Sequence, residues 1–309
     1  MDHSHDQIEP SGATRRRARR TMTATKDATW MGRWWRNVVL GTDRGRPPSV
    51  GGLILRGLAI GYLAVMIVLP LGALGVEAIR SGPSALLSAL LDPFARHALV
   101  LTLTTAAVMT VINAVMGTLT AWVIARREFV GKRWVNAFID LPLAIPTVVT
   151  GLMLVTLYGP ASVLGTVLGG SIIYQQPGII LALVFVTFPF VVRSVQPVLL
   201  ELDPVEEEAA ATLGAGPWLT FRRVVLPTLA PAIFSGAAQS FARALGEFGS
   251  VVLVSGNRPL ETTTAPLYIY GALESGDRTG ALAVSLALLA GSLGLMLVFN
   301  VVQTGKTGS

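Results

Sequence analysis

Residues 208–227 read Glu-Ala-Ala-Ala-Thr-Leu-Gly-Ala-Gly-Pro-Trp-Leu-Thr-Phe-Arg-Arg-Val-Val-Leu-Pro. The stretch is polar and helix-patterned, yet apolar runs long enough to cross a membrane stand on either side, where a short turn would join them. At its front edge Asp203 precedes Pro204 and lies three residues before Glu206. A side-chain acceptor, a proline at the first helical position and acidic residues in the first turn open a helix by satisfying or complementing its free N–H groups. The spacing predicts a helix over 204–213, closed by Gly214 in the left-handed conformation. Pro217, after Gly216, opens a second helix toward Val225, and Pro227 marks its far end. Two short helices with a bend between them form a surface on which something can dock.

Outward from this stretch the chain is a membrane protein. Of 309 residues, 52% are hydrophobic and 14% charged, against roughly 25% charged in soluble domains. About 20 helical residues cross the hydrocarbon core, and the apolar runs give six spans, at about 57–76, 98–125, 135–158, 178–199, 228–255 and 281–302. They make one permease-sized domain over 51–303, with the loop 200–227 between spans four and five. Lys and Arg set the orientation. Eleven lie in the tail through Arg56; Arg126, Arg127, Lys132 and Arg133 follow span two, Arg222 and Arg223 follow span four, and Lys306 ends the chain. The alternate loops hold Arg80, Arg96, Arg258 and Arg278. The positive-inside rule therefore places both termini and the Glu208 loop in the cytoplasm of a multi-pass cell (inner) membrane protein. The net charge of +6 is a topology signal, and no nucleic-acid partner is expected.

Residues 1–50 form a separate region. Arg15, Arg16, Arg17, Arg19 and Arg20 lie in a Ser/Thr-rich stretch expected to be disordered near anionic headgroups. Trp30, Trp34, Trp35 and Val38 recur at helical spacing, which fits either an interfacial helix over 30–40 contacting membrane lipids or a loosely packed linker. No cleavable signal peptide is expected, since no short apolar core follows the arginines directly. Residues 304–309 read as a short cytoplasmic tail. Cysteine is absent, and His3, His5 and His97 offer no metal cluster. Thr304-Gly305-Lys306-Thr307 resembles part of a phosphate loop, but Asn300 stands where that pattern needs Gly. Hydrolysis of ATP is therefore expected from a separate subunit, and no nucleophile stands beside a base, so the chain reads as a non-enzyme.

Charges inside the spans are the remaining signal. Arg243 and Glu247 lie four residues apart in span five, on one helix face, and a charge at the bilayer centre costs about 2.5–3.5 kcal/mol unless paired or hydrated. Two roles fit: a structural ion pair between packed helices, or an Arg243 that lines a pathway for anions with Glu247 holding it. Arg193 is expected to snorkel toward headgroups from the inner end of span four, and Asp140 to pair with a basic residue or cap backbone groups. Pro142 and Pro146 in span three and Pro189 in span four suit a gate, and Gly246 and Gly249 flank Glu247. The outer loop 159–177 carries no charge, whereas 256–280 carries Arg258, Glu261, Glu274, Asp277 and Arg278; these are the surfaces a delivery protein would touch.

The order Glu208-Ala209-Ala210, three residues, Gly214, nine residues, Val224, one residue, Leu226-Pro227 resembles the coupling loop of the permease subunits of ATP-binding-cassette (ABC) importers, with Val224 where that family usually has Ile. The stretches 140–151, 188–201, 207–214 and 243–249, in that order, are similar to the T-type permease subunits of sulfate/thiosulfate importers, over about residues 55–302. Leu143 stands where those subunits commonly have Phe, and the basic N-terminal extension has no counterpart. The resemblance implies an all-α membrane protein of the type I ABC importer (MetI-like) permease fold, with six transmembrane helices and cytoplasmic coupling helices. It implies Glu208, Ala209, Ala210, Gly214, Val224, Leu226 and Pro227 as the ATPase-coupling residues. The implied partners are an ABC ATPase dimer that binds ATP and Mg, a second, W-type permease subunit, and an extracytoplasmic sulfate-binding protein; the chain itself needs no cofactor. Sulfate or thiosulfate would cross by alternating access. A molybdate or tungstate permease shares this logic. An ATP-independent secondary anion transporter is the reading from a different class, but such carriers often show paired repeats, and none is visible in the sequence.

Overall fold

A computed structural model describes residues 50–167 and 171–306; the tail and the helix expected at 30–40 lie outside these, as do 307–309. The described residues are helical: α1 (Val50–Ser81), α2 (Pro83–Leu91), α3 (Pro93–Arg126), α4 (Lys132–Ala144), α5 (Thr147–Tyr158), α6 (Val163–Val167), α7 (Gln176–Glu201), α8 (Pro204–Thr212), α9 (Pro217–Thr220), a π-helical turn (Phe221–Val225), α10 (Leu226–Leu245), α11 (Gly249–Ser255), α12 (Ala265–Glu274) and α13 (Arg278–Lys306). The described residues through Ala73 form one unit and those from Leu74 a second.

In the first unit, α1 is apolar on all sides, and its residues 57–73 are exposed throughout. Such a helix is stable only where hydrocarbon takes the place of water. In the second unit, α3, α7, the run 217–245 and the first part of α13 are each long and apolar enough to span a membrane. Helix α3 starts where it does because Asp92 accepts bonds from the N–H of Phe94 at 2.9 Å and Ala95 at 3.2 Å, with Pro93 filling the first position.

Helix α7 is the centre of the unit, packed on α3 and α10. Val191 is buried between glycines of both neighbours. A Cβ on Gly117 of α3 would sit 2.8 Å from the Val191 Cβ, and one on Gly236 of α10 would sit 2.7 Å from its Cα. Small residues at these crossings let backbones approach where apolar lipid provides no hydrophobic drive between helices.

Two of the expected spans are broken. The run 135–158 is not one straight helix: α4 and α5 meet at 111°. Ile145 is extended with ψ 130, as the residue before Pro146 must be to avoid its ring. The run 228–255 stops at Leu245, turns through Gly246–Phe248 and restarts as α11. The two restarted halves lie against each other: a Cβ on Gly151 of α5 would fall 2.7 Å from the Ser250 carbonyl oxygen of α11, and a Cβ on Gly249 would overlap the Thr147 hydroxyl. Pro189, by contrast, does not interrupt α7. Around it Asn113 of α3 donates to the Val184 carbonyl at 3.3 Å and to the Thr187 hydroxyl at 2.8 Å, and Ser240 of α10 donates to the Thr187 carbonyl at 3.2 Å. Side chains of both neighbouring helices thus bond α7 in the turn before its proline.

Candidate functional site

The segment joining α7 to α10 is built by local chemistry. The Asp203 carboxylate accepts from the Val205 N–H at 3.0 Å, with Glu206 and Glu207 in the first turn. At the other end Gly214 takes φ +83. Its N–H donates to the Ala211 carbonyl at 2.9 Å while Ala215 donates to Ala210 at 3.0 Å. This paired closure satisfies the last carbonyls and needs a residue that tolerates positive φ. Gly216 and Pro217 then open α9.

Beyond this point the structure corrects the sequence reading. No helix ends at Pro227. The chain passes from α9 through the π turn, where the Leu226 N–H reaches the Phe221 carbonyl, directly into α10. Five-residue bonding widens the turn just before Pro227, so its missing N–H and bulky ring fall at the opening of α10 and stop nothing. Val224, Leu226 and Pro227 are therefore part of one continuous rod with the fifth span.

The segment has two faces. Outward, Glu208 and Ala209 are exposed and Ala210 half-buried, and Leu213 at 88% and Trp218 at 72% are among the most exposed large apolar side chains in the protein. Inward, Val225 and Leu229 are fully buried with Leu199, Val195 and Ile124 in a cluster shared by α3, α4, α7 and α10. Phe221 meets Trp122 of α3 edge-on at 5.4 Å and stacks with Trp218 at 5.8 Å. Arg126, at the end of α3, pairs with Glu207 and lies 5.8 Å over the Trp122 ring. A rigid base with an exposed apolar crest is thus fixed to the end of the bundle.

Next to it, Arg193 does not snorkel. Its Nε and Nη2 grip both oxygens of Asp140 at 2.7 and 2.6 Å. Nη1 donates to Asn136 Oδ1 at 2.8 Å and Gln196 Oε1 at 2.6 Å, and Nη2 donates also to the Asn136 carbonyl at 2.8 Å. The bidentate geometry that a guanidinium favours ties α4 to α7, and outweighs any gain from reaching headgroups.

The Arg243–Glu247 pair forms, with Nη1 2.8 Å from Oε2, but on different ground from that expected. Arg243 is in the last turn of α10, whereas Glu247 lies in the break that follows it. The Glu247 side chain is 1% exposed and that of Arg243 39%. The other Glu247 oxygen accepts from the Ser250 N–H at 2.9 Å and hydroxyl at 3.0 Å. The candidate gate prolines separate: Pro142 is buried in α4, Pro146 stands at the α4–α5 bend, and Pro189 lies buried in the unbroken α7.

At the opposite end of the unit, the two loops expected to face a delivery protein are fastened together. The Tyr174 N–H donates to the Val254 carbonyl at 2.8 Å, and Arg258 donates to the Tyr174 carbonyl at 2.6 Å while pairing with Glu261 at 2.8 Å. Tyr174, Asn257 and Leu260 hold positive φ. Beside them Phe94, Leu260, Tyr268 and Asp277 line a cleft of about 290 Å³. Burial, with Asp92 and Asp277 nearby, raises the Tyr268 phenol above its ordinary pKa.

Comparison with known proteins adds to this geometry. The family described as "Binding-protein-dependent transport system inner membrane component" matches residues 114–306. A protein of Nephroselmis olivacea named "Probable sulfate transport system permease protein cysT" is 43% identical over 252 residues, covering 81% of this chain and 89% of its own. The "Sulfate transport system permease protein CysT" of Synechocystis sp. is 41% identical over 245 residues, covering 78% and 86%. Among solved structures, a chain of a bacterial alginate ABC transporter in complex with a pentasaccharide-bound periplasmic protein superposes with a TM-score of 0.69 at 19% identity, covering 90% of this chain and 99% of that one. At that identity the last likeness is one of fold alone.

Proposed function

The chain belongs to the binding-protein-dependent transport system inner membrane component family, and from that premise we propose that it is the permease subunit through which an ABC importer moves sulfate or thiosulfate into the cytoplasm. Carrying this reading is the segment 203–227, an exposed helix capped at both ends that leads into the rod of the fifth span, whose base is anchored in the bundle. Glu208, Ala209, Ala210 and Gly214 dock in a groove of a separate ATPase on the cytoplasmic side, with the Leu213 and Trp218 side chains buried by the contact. Val224, Leu226 and Pro227 pass the motion on, because they belong to the rod that continues into α10. ATP and Mg are held by two copies of that ATPase, and this chain requires no cofactor of its own. A W-type permease completes the path, and a sulfate-binding protein delivers the anion to the opposite end, where the loops around Tyr174 and Arg258 stand.

Closure of the ATPase dimer pushes α8; the Arg126–Glu207 pair and the Trp122–Phe221 contact transmit the push to α3, and the rod transmits it to α10. The broken spans α4–α5 and α10–α11, in contact through Gly151 and Gly249, then change their angle and turn the cavity outward. Hydrolysis reverses the motion.

The test is ATP-dependent uptake of labelled sulfate into proteoliposomes holding this subunit, its partner permease, the ATPase and the binding protein, with excess molybdate as competitor. Sulfate uptake that resists molybdate supports the reading. Preference for molybdate moves the substrate to that oxyanion, and uptake without ATP overturns the coupling role. Glu208→Lys is expected to lower co-purification of the ATPase, and Gly214→Val to separate ATP hydrolysis from uptake; wild-type behaviour in both would remove 203–227 from the docking site.

A further inference from the structure

Helix α10 turns a different kind of surface outward from the spans beside it. The exposed side of α3 is made of Val100, Val108, Val111, Val115, Leu119 and Val123, side chains that hydrocarbon solvates. On α10 the exposed or half-exposed side runs through Pro231, Ser235, Gln239, Ala242, Arg243 and Gly246, and beyond Leu226 its one exposed large apolar residue is Phe234. Ser235, Gln239 and Arg243 follow each other at four-residue steps, so they share one row on the helix surface. Lipid tails offer such groups no hydrogen bonds, and polar residues in a span therefore face another chain or a water-filled path.

The row ends at the broken span. Glu247 is enclosed there, with one oxygen on Ser250 and the other on Arg243. The Arg243 guanidinium meets this carboxylate with one nitrogen, and the side chain is still 39% exposed. A bare arginine in a low-dielectric path would hold a dianion too tightly for release; a buried carboxylate behind it weakens that attraction while fixing the fork in place.

We propose that Arg243 is a transit site for a tetrahedral dianion in the translocation path, with Gln239 and Ser235 as hydrogen-bond partners along the same row and Glu247 as the positioning residue. The proposal rests on the oxyanion reading given under Proposed function, and assigns to this chain the groups the anion touches while it crosses.

The experiment uses the complete complex with its binding protein in proteoliposomes. Wild-type uptake of labelled sulfate and molybdate is measured first; transport of neither overturns the oxyanion reading itself, independently of Arg243. With wild-type uptake in hand, Arg243→Gln is expected to lower it at least about tenfold, the loss of one charge-assisted contact, with the ATP hydrolysed per anion rising in proportion. Arg243→Lys keeps the cation and retains more uptake than the Gln variant. The double variant R243Q/E247Q keeps a neutral amide pair in the same place: persistent loss of uptake in an assembled complex supports the transit site. Recovery of uptake in the double variant overturns it, because only the pairing would then matter. Failure of both R243K and the double variant to assemble also overturns it, by assigning the pair to folding.

Discussion

Arg193 and Arg243 both sit in membrane spans and both face a carboxylate, yet they are built in opposite ways. Every nitrogen of the Arg193 guanidinium is engaged by Asp140, Asn136 or Gln196. Arg243 meets Glu247 through one nitrogen, and here the carboxylate is the saturated member. In the first pair the arginine is held by its surroundings and joins two helices. In the second the carboxylate is held and the arginine is presented. The number of engaged donors, more than the presence of charge, separates a clamp from a contact surface, and that number is invisible in a sequence where both arginines stand in similar apolar runs.

The comparison can be broken by substitution. Arg193→Ala should have the largest effect, about 3 kcal/mol, because it removes all five hydrogen bonds of the guanidinium at once; the check is the thermal unfolding of the purified complex, and a shift no larger than that of a surface pair would remove the clamp. Gly249→Ala comes next. Its methyl would overlap Thr147 where α5 meets α11, and overpacking at such a crossing costs about 1–3 kcal/mol, read as lost assembly yield; unchanged yield would mean that the break does not depend on close approach. Glu247→Gln can keep its one carbonyl oxygen for Ser250, but turns an amide N–H toward Arg243 in place of the accepting oxygen, so it loses the charge and that acceptor, for about 1–2 kcal/mol; its unfolding shift should be smaller than that of Arg193→Ala, and the reverse order would make Glu247 the clamp. Smallest is Glu261→Gln, at the exposed Arg258–Glu261 pair, within about 1 kcal/mol of wild type, and a larger loss would show that the loops around Tyr174 and Arg258 depend on that pair.

What was legible in the sequence was local. The cap at Asp203, the closure at Gly214 and the opening at Pro217 each depend on residues within a few positions, and the structure forms all three. Span positions were legible because length and apolarity set them. The breaks were less so: Pro146 announces the α4–α5 bend, but the turn at Gly246–Phe248 is set against Gly151 and Thr147, a hundred residues earlier in the chain, and single glycines occur in unbroken membrane helices as well. Arg193 was misread because Asp140 is 53 positions away, and headgroups were the partner that span position alone suggested. Arg126 and Glu207 were legible as a basic span end and an acidic first turn, but not as partners. Pro227 was misread for another reason: the rule that proline ends a helix assumes four-residue bonding on both sides, and the π turn suspends that assumption.

That π turn also has an angular consequence. Each residue advances an α-helix by about 100°, so one residue taken into a wider turn offsets everything after it by nearly that angle. The turn at 221–225 works as an index between the capped segment 203–217 and the span, setting which side of α10 looks outward once Phe221 and Val225 are seated. Deleting one residue from it, even the exposed Arg222, would keep the composition of the rod and swing the Ser235–Gln239–Arg243 row toward the bundle interior. In this permease the direction in which the polar row points is set some twenty residues before its arginine.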